Sequence, residues 1–333
     1  MKKILFTILV FGCAIAAQAQ NEELTAILQH GEEVSVFKGL NALVKAHNAA
    51  EDGDVITLSA GTFNPATITK GISIYGAGFE ANEETGADVT LINNTLQIGA
   101  ADLTVSNVHI EGLRINGFID APCENTSKVE HLVVTKCYWS GGFHCFGEVE
   151  YVDINNCIIM ENVYSDNKVA TSLALTNCFV GGDVKNFTVG SSVVVDHCIV
   201  CGGEAGPVLY KNTILTYRYA NDYYGNYWGA FRKTSGATVQ NCIYSYGISS
   251  NNIVQDCFEV NYNPFADANN ATYSEQRTFE LLSPEEWVGT DGTEIGIRGG
   301  NGWSKTPSTP VVKNLNVEVQ GMNLKVNYDA NVR

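Results

Sequence analysis

One six-residue frame recurs down this chain and limits its fold more than any other feature: apolar, any, apolar, any, a polar residue, then Cys. It reads Leu132-Val133-Val134-Thr135-Lys136-Cys137, Val152-Asp153-Ile154-Asn155-Asn156-Cys157, Leu173-Ala174-Leu175-Thr176-Asn177-Cys178 and Val193-Val194-Val195-Asp196-His197-Cys198. Looser copies end at Asn107-Val108, Asn212-Thr213, Asn241-Cys242 and Asp256-Cys257. Cys137, Cys157, Cys178 and Cys198 stand about 20 residues apart, a period that signals stacked repeats. Leu173 and Leu175 alternate, as in a strand with one apolar face. Asn177 interrupts the alternation, and Cys178 and Val180 resume it in shifted phase. A single residue that bends the chain between two strands favours the left-handed conformation, which Asn tolerates better than most. Five of the eight frames carry Asn there: Asn107, Asn156, Asn177, Asn212 and Asn241. Each coil then holds two short strands about the bend and a third elsewhere, and stacking buries one continuous core.

The cysteines follow from this layering. Residues one rung apart in a parallel stack sit about 4.8 Å apart, wider than the roughly 3.5–4.5 Å between Cβ atoms of a disulfide. Most are therefore expected buried and reduced, as small hydrophobes. Cys198-x-x-Cys201 with His197 beside it is a weak basis for zinc, and no metal site is expected.

The order of elements resembles the right-handed parallel β-helix, or pectin-lyase-like, superfamily, and within it uncharacterised secreted, adhesin-like β-helix proteins of gut anaerobes. The resemblance spans roughly residues 36–300. Leu40, Leu43, Val44 and His47 have the spacing of an amphipathic helix. Asp52-Gly53-Asp54, Val55-Ile56-Thr57-Leu58 and Ala60-Gly61-Thr62-Phe63 follow, similar to the N-terminal cap of such proteins. Ile72-Ser73-Ile74-Tyr75-Gly76-Ala77-Gly78 is like a first full coil. The segment Trp287 to Ile297 resembles the one that closes these helices. Gly299 to Pro310 reads as a linker. Leu315, Val317 and Val319, then Leu324 and Val326, alternate around Gly321 as a terminal β-hairpin, read as a lid on the last coil or as a docking strand pair. The fold class expected is thus all-β: a right-handed parallel β-helix, a solenoid, over 20–300, with an N-terminal capping helix and a C-terminal β-hairpin in 301–333.

Residues 1–19 read as a signal peptide: Lys2 and Lys3, an apolar run from Ile4 to Phe11, and the small-x-small site Ala17-Gln18-Ala19. Export to the periplasm, cell surface or medium is expected, with lipid anchoring at Cys13 disfavoured because Ala17-Gln18-Ala19 is the better cleavage site. No later segment is long and apolar enough to cross a membrane. The whole chain carries −16 at neutral pH. Such a surface repels nucleic acid, anionic lipid and uronate polymers unless a cation or local basic patch intervenes. Neutral glycans or protein partners fit better, and a monomer is expected.

Function is sought where coils depart from the period. The interval Val108 to Cys137 is read as an excursion, with Asp120, Cys123 and Glu124 on a solvated loop. The interval Thr213 to Cys242 gathers Tyr217, Arg218, Tyr219, Tyr223, Tyr224, Tyr227, Trp228 and Arg232. Aromatic faces suit sugar C–H surfaces and the cations suit hydroxyls, so this loop is the candidate carbohydrate-binding site; the same rings could equally pack as a satellite core. Trp139 falls at an inward position. His144 and Cys145 are adjacent, so a strand would turn them to opposite faces. His197 reads as a substitute for Asn at the bend. Asp183-Val184-Lys185 could supply a carboxylate and a base. Lyases of the superfamily that the chain resembles hold Ca2+ in a carboxylate cluster, and hydrolases of that superfamily use paired Asp residues. This chain has no Asp-Asp pair, no Gly-His-Gly and no Arg-x-Lys at the matching end. The leading expectation is a non-catalytic, exported protein that binds a glycan or surface partner and needs no cofactor. The alternatives are a polysaccharide lyase, with Ca2+ as its cofactor, or a glycoside hydrolase, and a structural surface spacer.

Overall fold

The computed structural model describes residues 24–81, 88–166, 171–202, 206–216, 236–245, 247–248, 250–267 and 272–308, and the backbone of 311–320 and 323–331. The signal-peptide reading of 1–19 and all eight loop residues from Tyr217 to Arg232 lie outside them. Among the described residues, no helix is long and apolar enough to cross a membrane.

The fold is all-β, parallel and solenoid-like. Three sheets run along the stack, and within the coils each strand pairs with its counterpart one coil on. One coil shows the pattern: Lys128–Thr135 in the first sheet, Tyr138–Trp139 in the second, Phe143–Cys145 in the third, then Glu148–Asn155 back in the first. Register is exact along the core: Ile56, Ile74, Ile110, Val134, Ile154, Leu175, Val195, Tyr210 and Val239 align rung upon rung. Each is fully buried, and each such side chain contributes about 1.5–3 kcal/mol over an exposed one. Trp139 is inward and fully buried, as its position predicts.

The bend residues adopt the left-handed conformation. Lys136, Asn156, Asn177, His197, Asn212, Asn241 and Asp256 have φ between 46° and 53°. Asn107 also has positive φ, but it is not a bend. It sits inside the strand Thr104–Glu111, level with His131 and Tyr151, which share its conformation. The bend of that coil is Gly112, with φ 72°, followed by Leu113. The interval to the next bend is therefore 24 residues, from Gly112 to Lys136. The supposed solvated loop is mostly an ordinary coil: Ile119–Asp120 is a third-sheet strand with Ile119 fully buried, and Cys123 is part-buried. The two 15-residue intervals, Cys198 to Thr213 and Cys242 to Cys257, are also complete coils. They pair in the first and second sheets, and third-sheet pairing ends at Val184–Lys185 among the described residues.

All nine described cysteines are free. Those that follow a bend do more than fill space. A left-handed bend turns the next N–H away from the ladder, and a sulfur on the next coil receives it. Leu113 N donates to Cys137 Sγ at 3.4 Å, Cys137 N to Cys157 Sγ at 3.4 Å and Cys178 N to Cys198 Sγ at 3.3 Å. The thiols have carbonyls within reach in turn: Cys157 Sγ lies 3.1 Å from Asn155 O and 3.5 Å from Val134 O. Burial pushes the Cys157, Cys198 and Cys242 thiols up, so they stay protonated donors. Thr213 interrupts the thiol series and does the same work with its hydroxyl, which accepts from Cys198 N at 3.2 Å and donates to Lys211 O at 2.8 Å.

The N-terminal end is closed by a hairpin and a helix. Thr25–His30 and Glu33–Lys38 pair antiparallel, and the first of these pairs antiparallel with Val55–Leu58 at the edge of the first sheet. The helix Ala42–Ala49 buries Ala42, Leu43, Ala46 and His47. Leu40, placed in the apolar stripe by its spacing, precedes the helix and is exposed. Buried His47 accepts Thr69 N–H at 3.1 Å, and desolvation lowers its pKa, which keeps the acceptor neutral.

Residues 287–308 do not close the far end of the stack. They run back along the bend corner, and the bend side chains hold them. Asn241 Nδ2 donates to Val288 O, Asn212 Oδ1 accepts Thr290 N–H at 2.9 Å, and Asn177 Nδ2 donates to Ile297 O and Gly299 O at 2.8 and 2.7 Å. Asn156 Oδ1 accepts Ser304 N–H at 2.8 Å, and buried Glu111 accepts from Ser308 at 2.5 Å. Beneath this strap, Ile158, Phe179, Ile199, Ile214 and Ile243 on the outer face of the second sheet join Trp287, Ile295 and Ile297 in a second core. The strap thus reaches back to the rung of Glu111, the third parallel strand of the first sheet, before the terminal hairpin, Val311–Gln320 paired antiparallel with Asn323–Asn331.

Candidate functional site

The third sheet presents one outward side chain per rung. Thr67, Gln97, Asp120, His144, Tyr164 and Lys185 align in register down its outer face. Their neighbours Ile119, Phe143, Cys145, Val163 and Val184 point into the core. The period-2 alternation therefore turns His144 out and Cys145 in, as their adjacency predicts.

Rings converge on His144. Its centroid lies 4.1 Å from that of Tyr164, 4.4 Å from Phe118 and 5.7 Å from Phe146. Asp120 Oδ1 stands 3.1 Å from His144 Nδ1, an ion-pair distance, yet out of line for a hydrogen bond, so this buried oxygen keeps acceptor capacity. Burial, with Asp166 and Asp120 nearby, pushes the Tyr164 phenol up and keeps it a donor. A groove of about 470 Å3 opens here, lined by Phe118, Ser140, His144, Glu161, Asn162 and Tyr164 together with Gly117 and Gly141. The corner beside it is tight. A Cβ on Gly142 would stand 2.2 Å from Asn162 O, so only glycine lets successive coils meet there. Asn162 Oδ1 is fixed by Asp183 N–H at 2.8 Å. The groove thus offers aromatic ring surface beside hydroxyl, amide and carboxylate groups, a mixture that suits a polar ligand with apolar C–H faces.

The other candidates separate. Lys185 Nζ is 2.8 Å from Asp183 Oδ2, so the carboxylate and the amine neutralise each other instead of flanking a substrate. Cys198 faces the inner core, Cys201 packs in the second core beneath the strap, and His197 Nε2 points to Asp291 Oδ2 at 3.2 Å. The three are not arranged around a common centre. His197 does take the place of Asn, at φ 48°. Asp196 is occupied by Asn212 Nδ2 at 3.0 Å.

Phe118, Ser140, Glu161, Asn162 and Tyr164 were not singled out by sequence. The signal was present: one or two residues after Gly117, Gly141-Gly142 and Gly181-Gly182, an inward apolar residue precedes an outward polar one in Ile119-Asp120, Phe143-His144 and Val184-Lys185, with Val163-Tyr164 between. The misplaced bend at Asn107 hid it by shifting the first of these pairs into a supposed loop. In chain order, residues 217–235 fall between a second-sheet and a first-sheet strand, the interval that carries the third-sheet strand in earlier coils. No family model, no curated protein and no solved structure matches the chain.

Proposed function

We propose that this chain is an exported right-handed parallel β-helix of the pectin-lyase-like kind that binds a neutral glycan, without catalysis, in the third-sheet groove. The observation that carries this reading is the row Phe118, His144 and Tyr164 beside Ser140, Glu161 and Asn162. Sugars present flat C–H faces and a rim of hydroxyls, and the groove supplies a counterpart to each. A neutral ligand is favoured because the chain carries −16 and the groove itself contains a carboxylate, Glu161. The aromatic cluster Tyr217 to Trp228 is a second contributor on this reading, since its composition, rings with Arg218 and Arg232, suits the same ligand.

The test is a neutral-glycan array with wild type, with Tyr164→Ala and with Tyr227→Ala plus Trp228→Ala. Tyr164→Ala should weaken binding at least about tenfold, equivalent to 1.4 kcal/mol. Full binding by Tyr164→Ala would remove the groove as the site. Unsaturated sugar products, followed by ultraviolet absorbance on incubation with polysaccharides, would replace the binding reading with a lyase.

A further inference from the structure

A second cavity, of about 500 Å3, lies on the flank where residues 275–278 meet the strap at 298–305. Its wall carries Arg277, Arg298, Lys305, Trp303, Thr278 and Glu275. Three cations line the wall beside the Glu275 carboxylate, and each has a carboxylate partner of its own in Asp267, Glu80 or Glu294. Each cation is anchored from behind. Arg277 Nε is 3.0 Å from Asp267 and its guanidinium lies over the ring of Phe279 at 4.5 Å. Lys305 Nζ is 2.8 Å from Glu80 and 5.1 Å from the centre of the Trp303 ring. Glu275 is drawn outward by Arg114 at 3.1 Å.

Arg298 is the least engaged of the three. Its side chain is 41% exposed, its pair with Glu294 is 3.7 Å long, and Nη1 lies 3.5 Å from Thr278 O. A guanidinium has five N–H donors, so most of its fork is unspent. Trp303 adds a second underused donor: its indole Nε1–H is buried with no acceptor.

We propose that this flank cavity is a second binding site, for a sulfate ester carried on a sugar. Arg298 and Lys305 reach the cavity from two places on the strap, while Arg277 stands buried behind it, held by Asp267 and Thr272 O. Donors arriving from several sides match a tetrahedral oxyanion with three terminal oxygens, whereas a planar carboxylate matches one fork. A singly charged sulfate ester also meets less repulsion from the acidic body than a phosphate dianion. This site stands apart from the third-sheet groove and does not rest on that reading.

The experiment is an NMR titration of the full chain with glucose 6-sulfate, glucose 6-phosphate, glucuronate and glucose, following the indole N–H resonances. Trp303→Phe identifies the relevant one. Glucose 6-sulfate should move the Trp303 resonance, glucose should not, and Arg298→Gln should weaken the response at least about tenfold. Arg298 is half-exposed, so this variant keeps the fold, and Tyr164→Ala should leave the response intact. Glucose 6-phosphate should give the weaker response, and one equal to that for the sulfate would overturn the sulfate assignment in favour of a phosphate ester. An unmoved Trp303 resonance, an unaffected Arg298→Gln variant, or a response to glucuronate equal to that for the sulfate would overturn the proposal.

Discussion

The bend corner and the third-sheet side of this molecule obey different rules. At the corner, coils from Lys136 to Asp256 spend one left-handed residue on the turn and follow it with a thiol or hydroxyl. On the other side the coils diverge. Third-sheet pairing stops at Val184–Lys185 among the described residues, and the outward residues run from Gln97 to Asp120, His144, Tyr164 and Lys185. The cause is hydrogen bonding. The corner leaves one N–H per coil that only a side-chain acceptor on the next coil can meet, so its residue types are dictated. The third-sheet face looks outward, where water can satisfy polar groups, so chemistry can vary there without cost to the stack.

The sharpest way to break this contrast is Asn177→Val. The left-handed conformation at φ 50° costs a non-glycine residue roughly 1–2 kcal/mol, more for a β-branched one. The change also removes two buried hydrogen bonds to the strap, each worth about 1 kcal/mol. We expect a loss of about 3 kcal/mol in urea unfolding. Asn177→Gly should recover the backbone part alone, since it keeps the bend and lacks the amide. A midpoint for Asn177→Val equal to wild type would show that the strap and the bend are not coupled.

Next in size is Cys157→Ala, which leaves Cys137 N–H buried with no acceptor. An orphaned donor of this kind costs about 1–3 kcal/mol. Thr213→Cys extends the thiol series through the one hydroxyl rung and should shift stability by no more than about 0.5 kcal/mol. If Cys157→Ala were as stable as wild type, the sulfurs would be mere filling, as their small size alone suggests.

How much the sequence disclosed follows the same division. The layered core, the left-handed bends at Asn156, Asn177, His197, Asn212 and Asn241, and the inward Trp139 were legible because they repeat. The hydrogen-bonding role of the thiols was not, because burial alone accounts for Cys at those positions; Thr213 in the same frame was the clue. Double apolar pairs such as Ile158-Ile159 and Phe179-Val180 announced a second sheet buried on both faces. Nothing local indicated that the cover would be residues 287–308, more than a hundred positions away. The groove was missed because its residues never form a motif: Phe118, Ser140, Asn162 and Tyr164 meet only through the register of three coils.

The smallest expected effect is the most informative about function. Tyr164 is outward, half-buried and tilted against the His144 ring, and its neighbours Val163 and Ser165 carry the inward packing. Truncation to Tyr164→Ala should therefore change unfolding stability by about 0.5 kcal/mol or less, the usual range for a surface position. A stability near that of wild type, joined to lost glycan binding, would place Tyr164 on the variable side of the molecule and leave its ring with a ligand as its purpose. A loss of about 2 kcal/mol or more would put the Phe118, His144 and Tyr164 rings among the structural contacts. The third-sheet face would then be held by the same packing constraint as the corner, and the contrast between the two sides would fail at this rung.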